Sequence, residues 1–208
     1  MKKGQADIIT AVIILILAIS LFGIGYRYIK PMLEKRQDEA MVERVRNAFD
    51  PSNPSSLSSK IENVAKLGGE DTFTLDVNGF WELNEDEDSI SFKFNSKATD
   101  IASDVGWISL TERESCPPSS GIVGSDKISV VCAKAEKVGE RYEITYKIFY
   151  RELVDPITNR IYKIDLVKHE AGVLTSGGKT VKIVRGRESS SIRDSKTLIS
   201  TEIKILLV

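Results

Sequence analysis

The chain carries a single histidine, His169, and that limits its chemistry more than any motif extends it. One imidazole cannot build a His-rich metal site and leaves a Ser-His-Asp triad without support elsewhere. Its neighbours Lys168 and Glu170 place it at an exposed strand end. The acidic run Glu82, Glu85, Asp86, Glu87 and Asp88 has the hard oxygen ligands calcium prefers, without the spacing or glycine of an EF-hand loop. As a solvated hairpin tip it needs no ion. Arg185, Gly186, Arg187 and Arg193 could hold an anionic polymer. With 29 basic against 30 acidic residues, however, the chain has no basic footprint for nucleic acid, and a surface loop is the simpler reading. Tyr142, Tyr146 and Tyr150 share one strand face: a glycan-stacking platform if exposed, core if buried.

Cys116 and Cys132 are the only cysteines, and no His or Cys cluster lies near them to complete a metal site. Bonded, they would close a loop of about fifteen residues, contribute roughly 3 kcal/mol, and suit an oxidising compartment. Unbonded, they are two thiols without an assigned task. The Gly68-Gly69 pair is too short for a phosphate loop. These residues together predict a protein that is not an enzyme and has no metal, cofactor or nucleic-acid partner. A membrane-tethered hydrolase would need a cleft of convergent ionisable groups, which no spacing here suggests.

The elements that must position these residues begin with an apolar run at positions 8–26, IITAVIILILAISLFGIGY, with no charge inside it. About nineteen residues at helical rise span ~28 Å, close to the hydrocarbon thickness of a bilayer. A secretory signal has a shorter apolar core and small residues at its cut, for which Gly23-Ile24-Gly25 is a poor match. A core helix of a soluble domain would show a polar face, and this run is apolar all round. The reading is one membrane-spanning helix, with Ala18, Ser20, Gly23 and Gly25 small enough to let another helix approach.

Beyond the span the helix continues. Met32, Leu33, Ala40, Met41, Val45, Ala48 and Phe49 recur at helical spacing and predict an apolar stripe, with Pro31 kinking the axis. Asp50-Pro51-Ser52-Asn53-Pro54-Ser55-Ser56 breaks it. A short helix follows, with Ser59 and Glu62 as a capping box, Ile61, Val64, Ala65 and Leu67 as its apolar side, and Gly68-Gly69 as its end. From Asp71 the pattern has period two. Phe73, Leu75 and Val77 lead through an Asn78-Gly79 hairpin turn into Phe80-Trp81-Glu82-Leu83, and further strands are marked by Ile90, Trp107, Ile128, Tyr142, Tyr162, Val181 and Ile199. About eight strands without long helices between them predict an all-β antiparallel sandwich or barrel, with the terminal Ile205-Leu206-Leu207-Val208 inside a sheet.

The residues before the span carry a resemblance. Lys2-Lys3-Gly4-Gln5, followed within a few residues by the apolar helix, resembles the leader of archaeal type IV prepilins, the class III signal peptide. The resemblance covers the first fifty residues and implies a cut between Gly4 and Gln5 by a prepilin peptidase, the apolar helix staying on the mature protein as anchor and filament core. It further implies other pilin-like subunits as partners through that helix. The acidic residue such pilins carry at the fifth mature position is Ile9 here. Asp7 is the one carboxylate near enough to replace it in assembly, or it sits at headgroup level in the first helical turn, favoured by the helix dipole.

The expected organisation is a leader at 1–4, a transmembrane and extended amphipathic helix at 5–50, a linker with a short capped helix at 51–70, and a β domain at 71–208. A count of flanking Lys and Arg would put that domain in the cytoplasm; a disulfide and the prepilin route would put it outside, and outside is the expectation adopted. The expected function is filament assembly or adhesion through an extracytoplasmic head on a single-pass protein of the cell membrane. The alternative is a monomeric anchored domain that binds the cell envelope or a surface partner.

Overall fold

The computed structural model describes residues 3–112 and 114–208, with side chains from Val12 onward. Helix α1 (Lys3–Phe49) runs as one helix through Pro31. Its C-terminal part buries Val42, Val45 and Phe49, with Met41 and Ala48 packed beside them. That spacing of three and four residues is the one a helix needs to present a stripe to a core. The stripe is shorter than the sequence suggests. Met32, Leu33 and Ala40 are exposed, and Val42, which the stripe omitted, is buried. The reason lies in where the β head stops. Lys97 reaches both Glu34, through its ammonium, and Asp38, through its backbone N–H at 2.6 Å. From Val12 to Leu33 the side chains are largely exposed, with no protein beside them among the described residues.

Helix α2 (Leu57–Leu67) is capped by Ser56, whose hydroxyl accepts from the Ser59 N–H, so the cap stands three residues before the Ser59 that spacing suggested. Ser59 instead donates its hydroxyl to the Asn53 carbonyl at 2.9 Å, tying the helix to the preceding turn. Ile61, Val64 and Ala65 are buried as expected, but Leu67 is 84% exposed because the chain leaves the helix there. Gly68 takes φ +83°, and its N–H caps the Val64 carbonyl, a conformation that costs glycine little.

The strands are β1 (Glu70–Thr74), β2 (Phe80–Asn84), β3 (Ser89–Ser96), β4 (Ile108–Ser109), β5 (Gly121–Ile122), β6 (Ser129–Val138), β7 (Arg141–Tyr150), β8 (Leu153–Asp155), β9 (Arg160–Lys168), β10 (Thr175–Ser176), β11 (Thr180–Arg193) and β12 (Lys196–Leu207). They form two six-stranded sheets, ordered β1-β11-β12-β9-β8-β5 and β10-β2-β3-β7-β6-β4. Most pairs are antiparallel, but β12 lies parallel to β9, and β5 lies parallel to β8. Between β9 and β12 the chain adds β10 to the other sheet and forms β11 before returning, so β12 enters beside β9 in the same direction. The terminal strand is accordingly internal, flanked by β11 and β9.

Asn78-Gly79 is not the hairpin its composition suggested. β1 and β2 belong to different sheets, and residues 75–79 carry the chain from one to the other. Glycine is needed at 79 for space: a Cβ there would lie 2.6 Å from the Lys93 carbonyl oxygen. A true two-residue hairpin joins β11 to β12 at Asp194 and Ser195, whose φ values of 51° and 63° match the twist such turns need. The short strands β5, β8 and β10 left no periodic trace in the sequence.

Both sheets and both helices contribute to one core. At its centre Trp81 stacks on Phe49 at 6.0 Å and meets Phe92 in a tilted contact at 4.6 Å, and Phe49 meets Tyr146 at 5.3 Å. The last turn of the N-terminal helix is therefore a component of the head's core, not an attachment to its surface.

Candidate functional site

Between β4 and β6 the chain runs through a long irregular segment whose shape is set by four ties. Cys116 and Cys132 are bonded, with Cα atoms 6.1 Å apart, and Cys132 is buried against Val130 and Phe149. Arg151 forks onto Glu114 through two bonds of 2.6 Å and donates its Nε–H to the Lys127 carbonyl at 2.8 Å. The Val131 N–H donates to the Thr111 hydroxyl, and the Ile122 N–H donates to the Asp126 carboxylate. Gly121 packs so closely on Leu153 and Arg151 that a Cβ would lie 2.8 Å from the Leu153 methyl.

Beside this segment lies a groove of about 520 Å³. Trp107, Pro117, Pro118 and Phe149 line it. The Lys147 ammonium sits 4.6 Å from the Phe149 ring centroid and pairs with Glu87. Asp88 and Lys163 also line the groove. Asp88 has φ +45° and a buried carboxylate that accepts from the Leu166 N–H at 3.2 Å and from the Lys163 ammonium at 2.7 Å. Burial pushes its carboxyl above the ordinary Asp range, and Lys163 and the Leu166 N–H oppose that only in part. Burial pulls the Lys163 ammonium down, but its bonds to Asp165 and Asp88 outweigh this and hold it above the usual lysine value.

The residues singled out in the sequence fall in separate places. The acidic run is dispersed: Glu82 is exposed on β2, Glu85 accepts from the Lys168 N–H, Glu87 pairs with Lys147, and Asp88 is buried with Lys163. Among the described residues no three His, Cys, Asp or Glu side chains converge on a position for a metal ion. Tyr146 and Tyr150 are buried and Tyr142 is half-buried, so that stripe is core. Arg185 pairs with Glu188, and Arg193 with Glu152. Gly186 packs on Glu202, and Arg187 is exposed. His169 follows the end of β9, where its Nδ1 accepts from the Ala171 N–H.

At the other end of the molecule, α1 is the one helix among the described residues long and apolar enough to cross a membrane. Its side chains from Val12 to Leu33 are largely exposed. Ala18 and Ser20 lie on this surface, Ser20 returning its hydroxyl to the Ile16 carbonyl at 2.8 Å. Nothing lies within 4 Å of a Cβ built on Gly23 or Gly25. Gly4, Gln5 and Asp7 fall within the helical backbone, but their side chains lie outside the described residues.

Two features escaped the sequence reading. Arg151 and Glu114 lie 37 residues apart, and nothing marks either as a partner. The pattern around Trp107 marks only a strand, because its neighbours in the groove come from four other segments. No family model, curated protein or solved structure matches this chain. One N-terminal apolar helix joined to a disulfide-bonded β domain is an architecture consistent with a membrane-anchored surface protein.

Proposed function

We propose that this is a pilin-like or minor-pilin surface protein, acting without catalysis in filament assembly or adhesion through a head outside the cytoplasm. The observation that carries the reading is the double role of α1. From Val12 to Leu33 it presents apolar side chains to no protein neighbour among the described residues, while Val42, Val45 and Phe49 of the same helix enter the core of the head. A helix shared in this way between anchor and head is the pilin plan. Pro31 would kink it where it leaves the bilayer. The two sheets are read as the layers of a sandwich, and the disulfide favours an oxidising exterior.

In this reading Lys2 and Lys3 form the leader, and a prepilin peptidase cuts between Gly4 and Gln5. Subunits then associate through the apolar helix, with Ala18, Ser20, Gly23 and Gly25 at the contact and Asp7 as the assembly carboxylate. Intact mass spectrometry of the protein purified from its native membrane tests it. A mature chain beginning at Gln5 is the expected result. A chain still beginning at Met1 overturns the pilin reading. Ile9, standing where pilins carry an acidic residue, favours a second reading, in which a monomeric single-pass protein binds the envelope through its head.

A further inference from the structure

We infer that the groove beside the disulfide is a binding site for a neutral saccharide, such as the hexose units of a surface glycan. The inference rests on the adhesive-head reading and supplies its ligand class. Three observations carry it. The first is the contrast between the two tryptophans. Trp81 is fully buried in the core, whereas Trp107 is 37% exposed and lines the groove, where an indole face offers the apolar platform on which a pyranose ring stacks. Pro117 and Pro118 border the same groove and present further apolar surface that loses no conformational freedom when covered.

The second observation is charge. The cations at the groove, Lys147, Lys163 and Arg151, are each engaged by a carboxylate of the chain itself: Glu87, Asp88 and Glu114. Among the described residues an anionic ligand finds no uncommitted countercharge there, and a cationic one finds no uncommitted carboxylate among these. The spare capacity is of another kind. A carboxylate oxygen holds more lone pairs than one partner uses, and an ammonium has three donors. Fixed planar acceptors and donors beside an aromatic face suit a polyhydroxylated, uncharged molecule.

The third observation is rigidity and size. The Cys116–Cys132 bond and the Arg151–Glu114 fork hold the wall that carries Pro117 and Pro118, so binding need not order a loose loop. At about 520 Å³ the groove falls within the range of small-ligand sites, and it accommodates one or two sugar rings.

The test uses the full-length chain in detergent on an array of neutral, uronic-acid and amino-sugar oligosaccharides, with hits titrated by tryptophan fluorescence. Neutral oligosaccharides are expected to bind, and Trp107, the exposed indole, is expected to carry the emission change. Trp107→Ala should weaken binding about tenfold or more with an unchanged unfolding midpoint, and Trp107→Tyr should retain most of it. Glu87→Gln should weaken binding without altering the fold. Binding confined to charged sugars, no binding to any, or affinity indifferent to Trp107→Ala would each overturn the inference. None of these outcomes depends on where the mature chain begins, so this inference and the pilin reading can fail separately.

Discussion

The guanidinium of Arg151 lies bidentate on the carboxylate of Glu114, two residues before Cys116, with both bonds at 2.6 Å and the arginine side chain almost entirely withdrawn from water. A buried ion pair of this kind is costly to assemble and more costly to break, because removing one partner strands the other charge. Arg151→Met should therefore destabilise the head by about 3–5 kcal/mol. Arg151→Lys should not rescue it, since an ammonium cannot reproduce the planar fork. Urea unfolding of both variants checks this. A lysine variant as stable as the parent would show that charge alone suffices.

The disulfide should act on the same segment from its other side. Serine at both Cys116 and Cys132 should cost roughly 3 kcal/mol by loop closure, read as a lowered thermal midpoint. The unreduced parent chain should be lighter by two hydrogens than the reduced one. Equal masses would remove the bond, and with it an argument for an exterior head.

Phe49 joins the helix to the head. Its ring contacts both Trp81 and Tyr146, so Phe49→Ala opens a cavity among aromatic side chains. The expected loss is about 3–5 kcal/mol. Limited proteolysis should then cut within residues 50–56, between the two helices, before it cuts the sheets. Cleavage elsewhere first would mean that the helix is not held by this contact.

Lys163 gives a prediction with a defined sign in pH. The Asp88 carboxyl is already raised in the folded chain, chiefly by burial. Lys163→Met removes the principal group that opposes that rise. A carboxyl raised on folding contributes stability that is present below its unfolded value and lost as pH rises through the folded one. The variant should thus lie closest to the parent in acid and fall progressively below it towards neutral pH, by about 1–3 kcal/mol. Chemical denaturation at pH 4 and pH 7 measures it; a gap that narrows towards neutrality would contradict the assignment.

Much of this architecture is legible in the residues themselves. The apolar run before Arg27 can satisfy its backbone only as a helix, and its lack of charge suits it to lipid. Period-two alternation in Tyr142, Ile144, Tyr146 and Ile148 marks β7, because alternate side chains share a face whatever the strand pairs with. Pairing itself is not local. Asn78-Gly79 has the composition of a hairpin, yet β1 pairs with β11 more than a hundred residues away, since burying Phe73 beside Val181 outweighs the turn's preference. The same limit hid the groove. Trp107, Pro117, Lys147 and Asp88 sit on four separate segments, and only the folded chain brings them together. The sequence determined the long apolar helix, the β-rich character of the head and most of its strands, because these follow from hydrophobic period. Tertiary structure alone decided which strands meet, which tyrosines are hidden, and where an indole is left facing water, because those depend on contacts between distant parts of the chain.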